Sequence, residues 1–276
     1  MENCIIFAET TQGHVFKALA EFYHSAFANI ILHVHSKGIK AKSDNSNDEP
    51  ATILADLNLN GTNFLHFHIP DDLRENPEAT LPLCMEARML RDAAVNIRKK
   101  DRLRLFVTKD EPEMLKIAIS NSEKDRSAIS SIPLLKFEDM LDKDKNPSDI
   151  CTYSEASPNS TCIATELQKA CKAGGQNKSA RIRVLAQKSG VQFQVEGSSG
   201  VGKSFFFGRW ASDTKPIYQK VFTAKGVMDT VSKCCSMTTN CKIFCEGNKP
   251  CRFSLDCGSL GTLEIYLVHI KVSKAV

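Results

Sequence analysis

The chain reads as an α+β protein built from four copies of one repeat, a helix followed by a meander of short strands. Three observations predict this. In the clearest copy, Val221 to Ile270, the helical spacing of VFTAKGVMDTVSKCC gives way to TNCKIFCEGNKPCRFSLDC and GTLEIYLVHI, which alternate as strands do. The same order of signals occurs three more times upstream. Turn-forming residues, such as Glu246 to Pro250, separate the strands at hairpin spacing. A lone meander leaves an apolar face and bare edges, so the repeats are expected to pair, two to a domain, burying their helices against a shared sheet.

The elements follow in order. CIIFAE is an apolar strand, and a helix runs from Thr10 to Phe27, where Phe16, Leu19, Tyr23 and Phe27 recur at three- and four-residue steps. The strands ANIILHVHS and IKAKS flank the turn Ser36-Lys37-Gly38, and ATILADLNL follows the polar loop Asp44 to Pro50. The second repeat opens on NFLHFHIP and places a helix from Leu83 to Ile97, with Leu83, Ala87, Leu90, Ala94 and Ile97 as its buried stripe. RLRLFVT and EMLKIAIS form a hairpin around Lys109 to Pro112, and SAISSIPLLKF is an edge strand. The charged EDMLDKDKNPSD is a linker, which sets domains at 1–137 and 150–276 joined by a connector at 138–149. Beyond it come ICTYSEAS and a helix capped near Asn159 or Ser160 that runs through Ile163, Leu167 and Cys171 to Gly174-Gly175. ARIRVLAQ, VQFQVEG and KSFFFGRW complete that repeat, and the last helix is capped by Thr223.

Composition narrows the function classes. A net charge of +4 is mild, so attraction to an anionic partner depends on where the charges sit. No apolar run approaches the ~20 residues of a membrane helix, and the start Met1-Glu2-Asn3-Cys4 lacks the pattern of a signal peptide. An intracellular protein with reduced thiols is the expectation for its eleven cysteines. Six of them lie between Cys234 and Cys257 without paired C-x-x-C spacing, which reads as buried thiols and not as a metal site. His33/His35 and His66/His68 alternate as strand residues do, without an evident carboxylate companion, and no catalytic constellation or cofactor motif emerges.

One motif competes. Gly197 to Ser204 spells G-x-x-x-x-G-K-S, the loop that cradles phosphates at a helix N-terminus and marks P-loop nucleotide-binding proteins. Here it leads into FFFGRW, which favours a strand, so a glycine-rich hairpin turn is the expected reading.

In the order and spacing of its elements the whole chain resembles the sliding DNA clamps of the proliferating cell nuclear antigen family. Local likeness lies in SKGIKAKS and KSGVQFQVEG, in the closing strand LGTLEIYLVHI, and in the position of the linker. The resemblance implies a non-catalytic homotrimeric ring that encircles double-stranded DNA and tethers a DNA polymerase and other clamp-binding proteins. Its DNA-facing residues would be Lys17, Arg88, Arg91, Arg98, Lys99, Lys169, Lys172, Lys225 and Lys233, spread over the helices for phosphate contact without base reading. Subunits would join edge to edge through SAISSIPLLKF and KSFFFGRW, with Ile132, Leu134, Phe205 and Phe207 packing across the seam. A partner-peptide pocket would use Met140, Leu141, Pro250 and Tyr266. A checkpoint-type or viral adaptor subunit on the same fold, working as a hetero-oligomer or a monomer, is the alternative. Compartment follows DNA, so nucleus or viral replication site is expected.

Overall fold

Pairing of strands between repeats organises the structure, a computed structural model that describes residues 3–45, 53–138, 157–175, 181–195, 202–223 and 230–268. The chain divides into two lobes. The first comprises Met1–Ser43, Asp56–Lys145 and Cys257–Leu263, and the second Asp44–Ala55, Asn146–Asp256 and Glu264–Val276. A single cut at the connector would not place segments 44–55 and 257–263 in this way.

The first lobe opens with β1 (Cys4–Thr10), α1 (Gly13–Ala26), β2 (Asn29–His35), β3 (Gly38–Asp44) and β4 (Ile53–Asn60). The short β5 (His66–His68) and α2 (Asp71–Glu75) follow. The second repeat is β6 (Leu81–Glu86), α3 (Ala87–Ala94), β7 (Arg102–Thr108), β8 (Glu111–Asn121) and β9 (Arg126–Pro133). Each leading strand joins the other repeat's meander: β1 pairs with β7, with Ala8 opposite Leu105, and β6 pairs with β2, with Cys84 opposite Ile31. The resulting runs are β5-β1-β7-β8-β9 and β4-β3-β2-β6.

The second lobe repeats the plan with β10 (Ser160–Ile163), α4 (Ala164–Gly175), β11 (Arg181–Gln187), β12 (Gly190–Val195) and β13 (Lys203–Gly208). Then come β14 (Tyr218–Thr223), helical residues 230–234, β15 (Asn240–Phe244), β16 (Cys251–Asp256) and β17 (Gly261–Leu267). Here β10 pairs with β15, Cys162 opposite Cys241, and β14 pairs with β11, Lys220 opposite Val184. The runs are β13-β12-β11-β14 and β10-β15-β16-β17.

Amphipathic spacing explains the cores. On α1, Val15, Phe16, Leu19, Phe22 and Tyr23 are buried, and Phe22 and Tyr23 pack edge to face at 5.2 Å. In the second lobe Leu167 and Cys171 of α4 are buried, and Phe193 meets Phe207 at 5.7 Å and Phe253 at 6.3 Å.

Three boundaries differ from the sequence reading, all in the same sense. The expected helix Leu83 to Ile97 starts only at Ala87, because Leu81–Glu86 is a strand held along the whole of β2. The helix expected from Asn159 starts at Ala164, after β10. Asn159 is not its cap: its amide donates to Gln187 O at 2.9 Å and its oxygen accepts from Cys245 N at 2.7 Å. Likewise Thr223 is a strand residue opposite Arg181. At β6 and β10 a short strand abuts a helix without a breaker, and tertiary pairing decides where the helix begins.

Candidate nucleic-acid interface and assembly edges

Within each lobe two helical segments lie side by side. Lys17 of α1 donates from Nζ to the Val95 carbonyl at 2.7 Å, satisfying the C-terminus of α3 with a cation. In the second lobe Gln168 of α4 donates to Ser232 O at 2.9 Å. These contacts, with the buried stripes, turn the remaining faces outward. Arg88, Arg98, Lys99, Lys169, Lys172 and Lys233 are exposed. Arg91 is half-buried and bonds Asp92 at 2.9 Å from Nε, and Lys169 pairs with Glu166 at 2.8 Å. Lys225 lies outside the described residues.

Two histidines of α1 sense this charge. Burial lowers the pKa of His14, and Lys99 lowers it further. Burial also lowers that of His24, with Arg91 and Arg88 adding to the effect against Asp92. Lys99 thus acts at one end of α1 and Arg88 with Arg91 toward the other, so α1 and α3 share a cationic surface. The sequence places both histidines on a helix face without a companion, and their distance from the cations depends on how the helices pack.

The seam residues divide differently from the expectation. Ile132 is 1% exposed and Phe207 9%, and both belong to the core of their own lobe. Leu134 and Phe205 are half-buried. The apolar side chains that point away from the core are Ile129 at 68% and Phe206 at 53%, with Ile163 at 57% beside β13. Strand periodicity explains this: Phe206 faces opposite to Phe205 and Phe207, and Ile129 opposite to Ile132. Pro133 sits at the last position of β9, where an edge tolerates it, and Leu134 continues with its amide on Glu113 O at 2.7 Å.

Pro250 is buried and Tyr266 half-buried, both in the second lobe; Met140 and Leu141 lie outside the described residues. Lys203 and Ser204 open strand β13, opposite Val195 and Gln194 of β12, so the nucleotide-binding reading fails for want of a following helix. All six cysteines from Cys234 to Cys257 are buried, and among the described residues no group of three or more potential ligands is placed to hold a metal ion. His66 does have a carboxylate companion: Glu9, which is 4% exposed, lies 3.8 Å from it and accepts from Arg104 at 3.0 Å and Arg102 at 3.4 Å. The cations surrounding Glu9 compensate a buried charge, a structural role.

The sequence matches no protein-family model and no curated protein. The fold matches the crystal structure of Proliferating Cellular Nuclear Antigen from Entamoeba histolytica with a TM-score of 0.75, over 97% of this chain and 100% of that one, at 16% identity. The chain has the PCNA-like clamp fold. Among the described residues β9 and β13 are each the outer strand of their run. No helix among the described residues is long and apolar enough to cross a membrane.

Proposed function

We propose that the chain is a sliding clamp: three copies close into a ring, the basic helix faces surround duplex DNA, and the ring tethers a DNA polymerase and other clamp-binding proteins. The observation that carries this reading is the state of the sheet edges. Four runs of strands are equivalent by the repeat, ending at β4, β9, β13 and β17. In the first lobe the outer side of β4 is covered, since Asn60 N–H donates to Leu260 O at 2.8 Å. No strand lies outside β9 or β13 among the described residues. Both strands lack the lysines and inward charges that usually protect an edge along their middles, and present Ile129 and Phe206 instead. One such edge per lobe, the two unlike in sequence, supports a head-to-tail contact, the kind that generates a ring when its rotation closes.

The cationic surface fits duplex DNA because phosphate contacts hold without reading sequence, which sliding requires. Pro250 and Tyr266, with Met140 and Leu141, would take a partner peptide, and the site of action would be the nucleus or a viral replication site. Light scattering on the size-exclusion peak tests the ring. Three copies of 30.6 kDa, about 92 kDa, are expected. A stable mass of 30.6 kDa across concentrations would remove the homotrimer.

A further inference from the structure

The β15–β16 hairpin holds chemistry that neither DNA binding nor assembly uses. Its register runs Cys241 opposite Leu255, Ile243 opposite Phe253 and Phe244 opposite Arg252. One step further brings Cys245 opposite Cys251, at the mouth of the turn Glu246 to Pro250. Their Sγ atoms are 3.6 Å apart, and both side chains are buried, Cys245 at 3% and Cys251 at 0%. Directly opposed strand residues bring their Cβ atoms to about 4.5–5.5 Å, close to the spacing a disulfide spans, so a small rotation closes the remaining gap. In a second opposed pair, Cys162 and Cys241, the thiols hydrogen-bond each other and carbonyls as well. Cys162 donates to Cys241 O at 3.6 Å and Cys241 to Lys242 O at 3.8 Å, so those thiols are engaged with carbonyls.

We propose that Cys245 and Cys251 form a dithiol site that a small-molecule disulfide oxidises to an intramolecular disulfide across the mouth of this turn. The deprotonated sulfur of one cysteine attacks the oxidant, forming a mixed disulfide and releasing one thiol. The second cysteine then loses its proton, attacks the protein sulfur and releases the other thiol. Two protein thiols become one S–S bond, and the oxidant's S–S bond becomes two thiols.

The turn supplies restraint. Its tip, Gly247 and Asn248, is exposed, and Gly247 takes the left-handed conformation at φ 47°. Its base is tied by Lys249 N to Glu246 O at 2.9 Å and by Tyr218 Oη to Lys249 O at 3.3 Å. Burial pushes the Cys251 thiol up, so exchange is slow at neutral pH and accelerates as pH rises. The pair is selective because the hairpin holds it together, not because either thiol is exposed.

The test uses the full chain, folded, exposed to oxidised glutathione, then unfolded, blocked with N-ethylmaleimide and cut with trypsin. Both cysteines fall within one fragment, residues 243–252, because Lys249 precedes Pro250 and resists cleavage. The expected result is a fragment without label and two hydrogens lighter, returning to the doubly labelled form after reduction. A doubly labelled fragment after prolonged exposure would overturn the proposal. So would a glutathione adduct at one cysteine with the other still labelled, or a crosslink between Cys162 and Cys241 formed in preference. The outcome is independent of the clamp reading, since no DNA, partner or second copy enters the assay.

Discussion

Asp101 is the most demanding single residue in the first lobe. It is fully buried, and its carboxylate accepts from Asn121 at 3.0 Å, from the Arg98 amide at 2.8 Å and from Arg126 at 3.2 Å. Burial alone would raise its pKa, but these donors outweigh it and the pKa is lowered. A depressed carboxylate stabilises the fold above its unfolded pKa of about 3.9, and that stability is lost as pH falls through the folded value. Asp101→Ala should therefore cost about 3 kcal/mol at neutral pH, since it leaves Arg126 and Asn121 without their acceptor. Urea unfolding would check it, and a change below about 0.5 kcal/mol would mean that water replaces the carboxylate. The α1 histidines work in the same sense, at higher pH. Their lowered pKa values disfavour the folded state as pH drops below about 6.5, because the unfolded chain then binds the protons more readily. If Lys99 and Arg91 act as argued, Lys99→Gln raises the pKa of His14 and Arg91→Gln that of His24, read by NMR titration of the ring protons. An unmoved pKa would separate that cation from α1. None of this was legible in the sequence, where residues 14 and 99 are remote and only helix packing brings their fields together.

At the scale of elements, the sequence carried most of the meander strands and three of the helices, because alternation and the three- and four-residue steps register burial on one face. It did not carry β6, β10 or β14, which run directly into or toward a helix. Leu81, Leu83 and Met85 alternate as well as they extend the stripe of Leu90, so the period alone does not separate strand from helix. Pairing with β2 decides. The same limit bears on the proposed seam: both strands expected to form it are outer strands, but Ile132 and Phe207, two of the four residues expected to pack across it, face their own cores. A substitution series separates the faces. Ile129→Lys and Phe206→Lys should leave the unfolding midpoint of the isolated chain within the range of surface substitutions, about 0.5 kcal/mol, while reducing the assembly to monomers. Ile132→Lys and Phe207→Lys should instead unfold their lobes, since each would bury an unpaired charge. Circular dichroism melts with light scattering distinguish the two cases. If Phe206→Lys left the oligomer whole, β13 would not be a seam.

For the whole molecule, the fold alone does not make a clamp; what a clamp adds is a topological link to DNA. Arg88, Arg98, Lys99 and Lys172, like Lys233, are exposed and make no ion pair among the described residues, so they are among the cations most available to phosphates. Each phosphate contact contributes about 0.9 to the salt slope of binding, so replacing all four by Gln should flatten that slope by about 3 to 4 per subunit engaged. Lys17 and Arg91 should matter less, since Val95 O and Asp92 already engage them. Contact and enclosure predict different salt behaviour. A protein that merely touches DNA leaves circular and linear molecules equally fast when salt is raised. A closed ring stays on a nicked circle at high salt and slides off the ends once the circle is cut, because screening weakens contacts but not a topological link. The decisive measurement is retention on the same plasmid before and after linearisation, with the four-residue Gln variant alongside. Retention on the circle by both proteins, with faster loss of the variant from linear DNA, is the outcome that enclosure with electrostatic guidance requires. Equal loss from circle and line would reduce the chain to a DNA-contacting protein on a clamp scaffold, however well its edges pair.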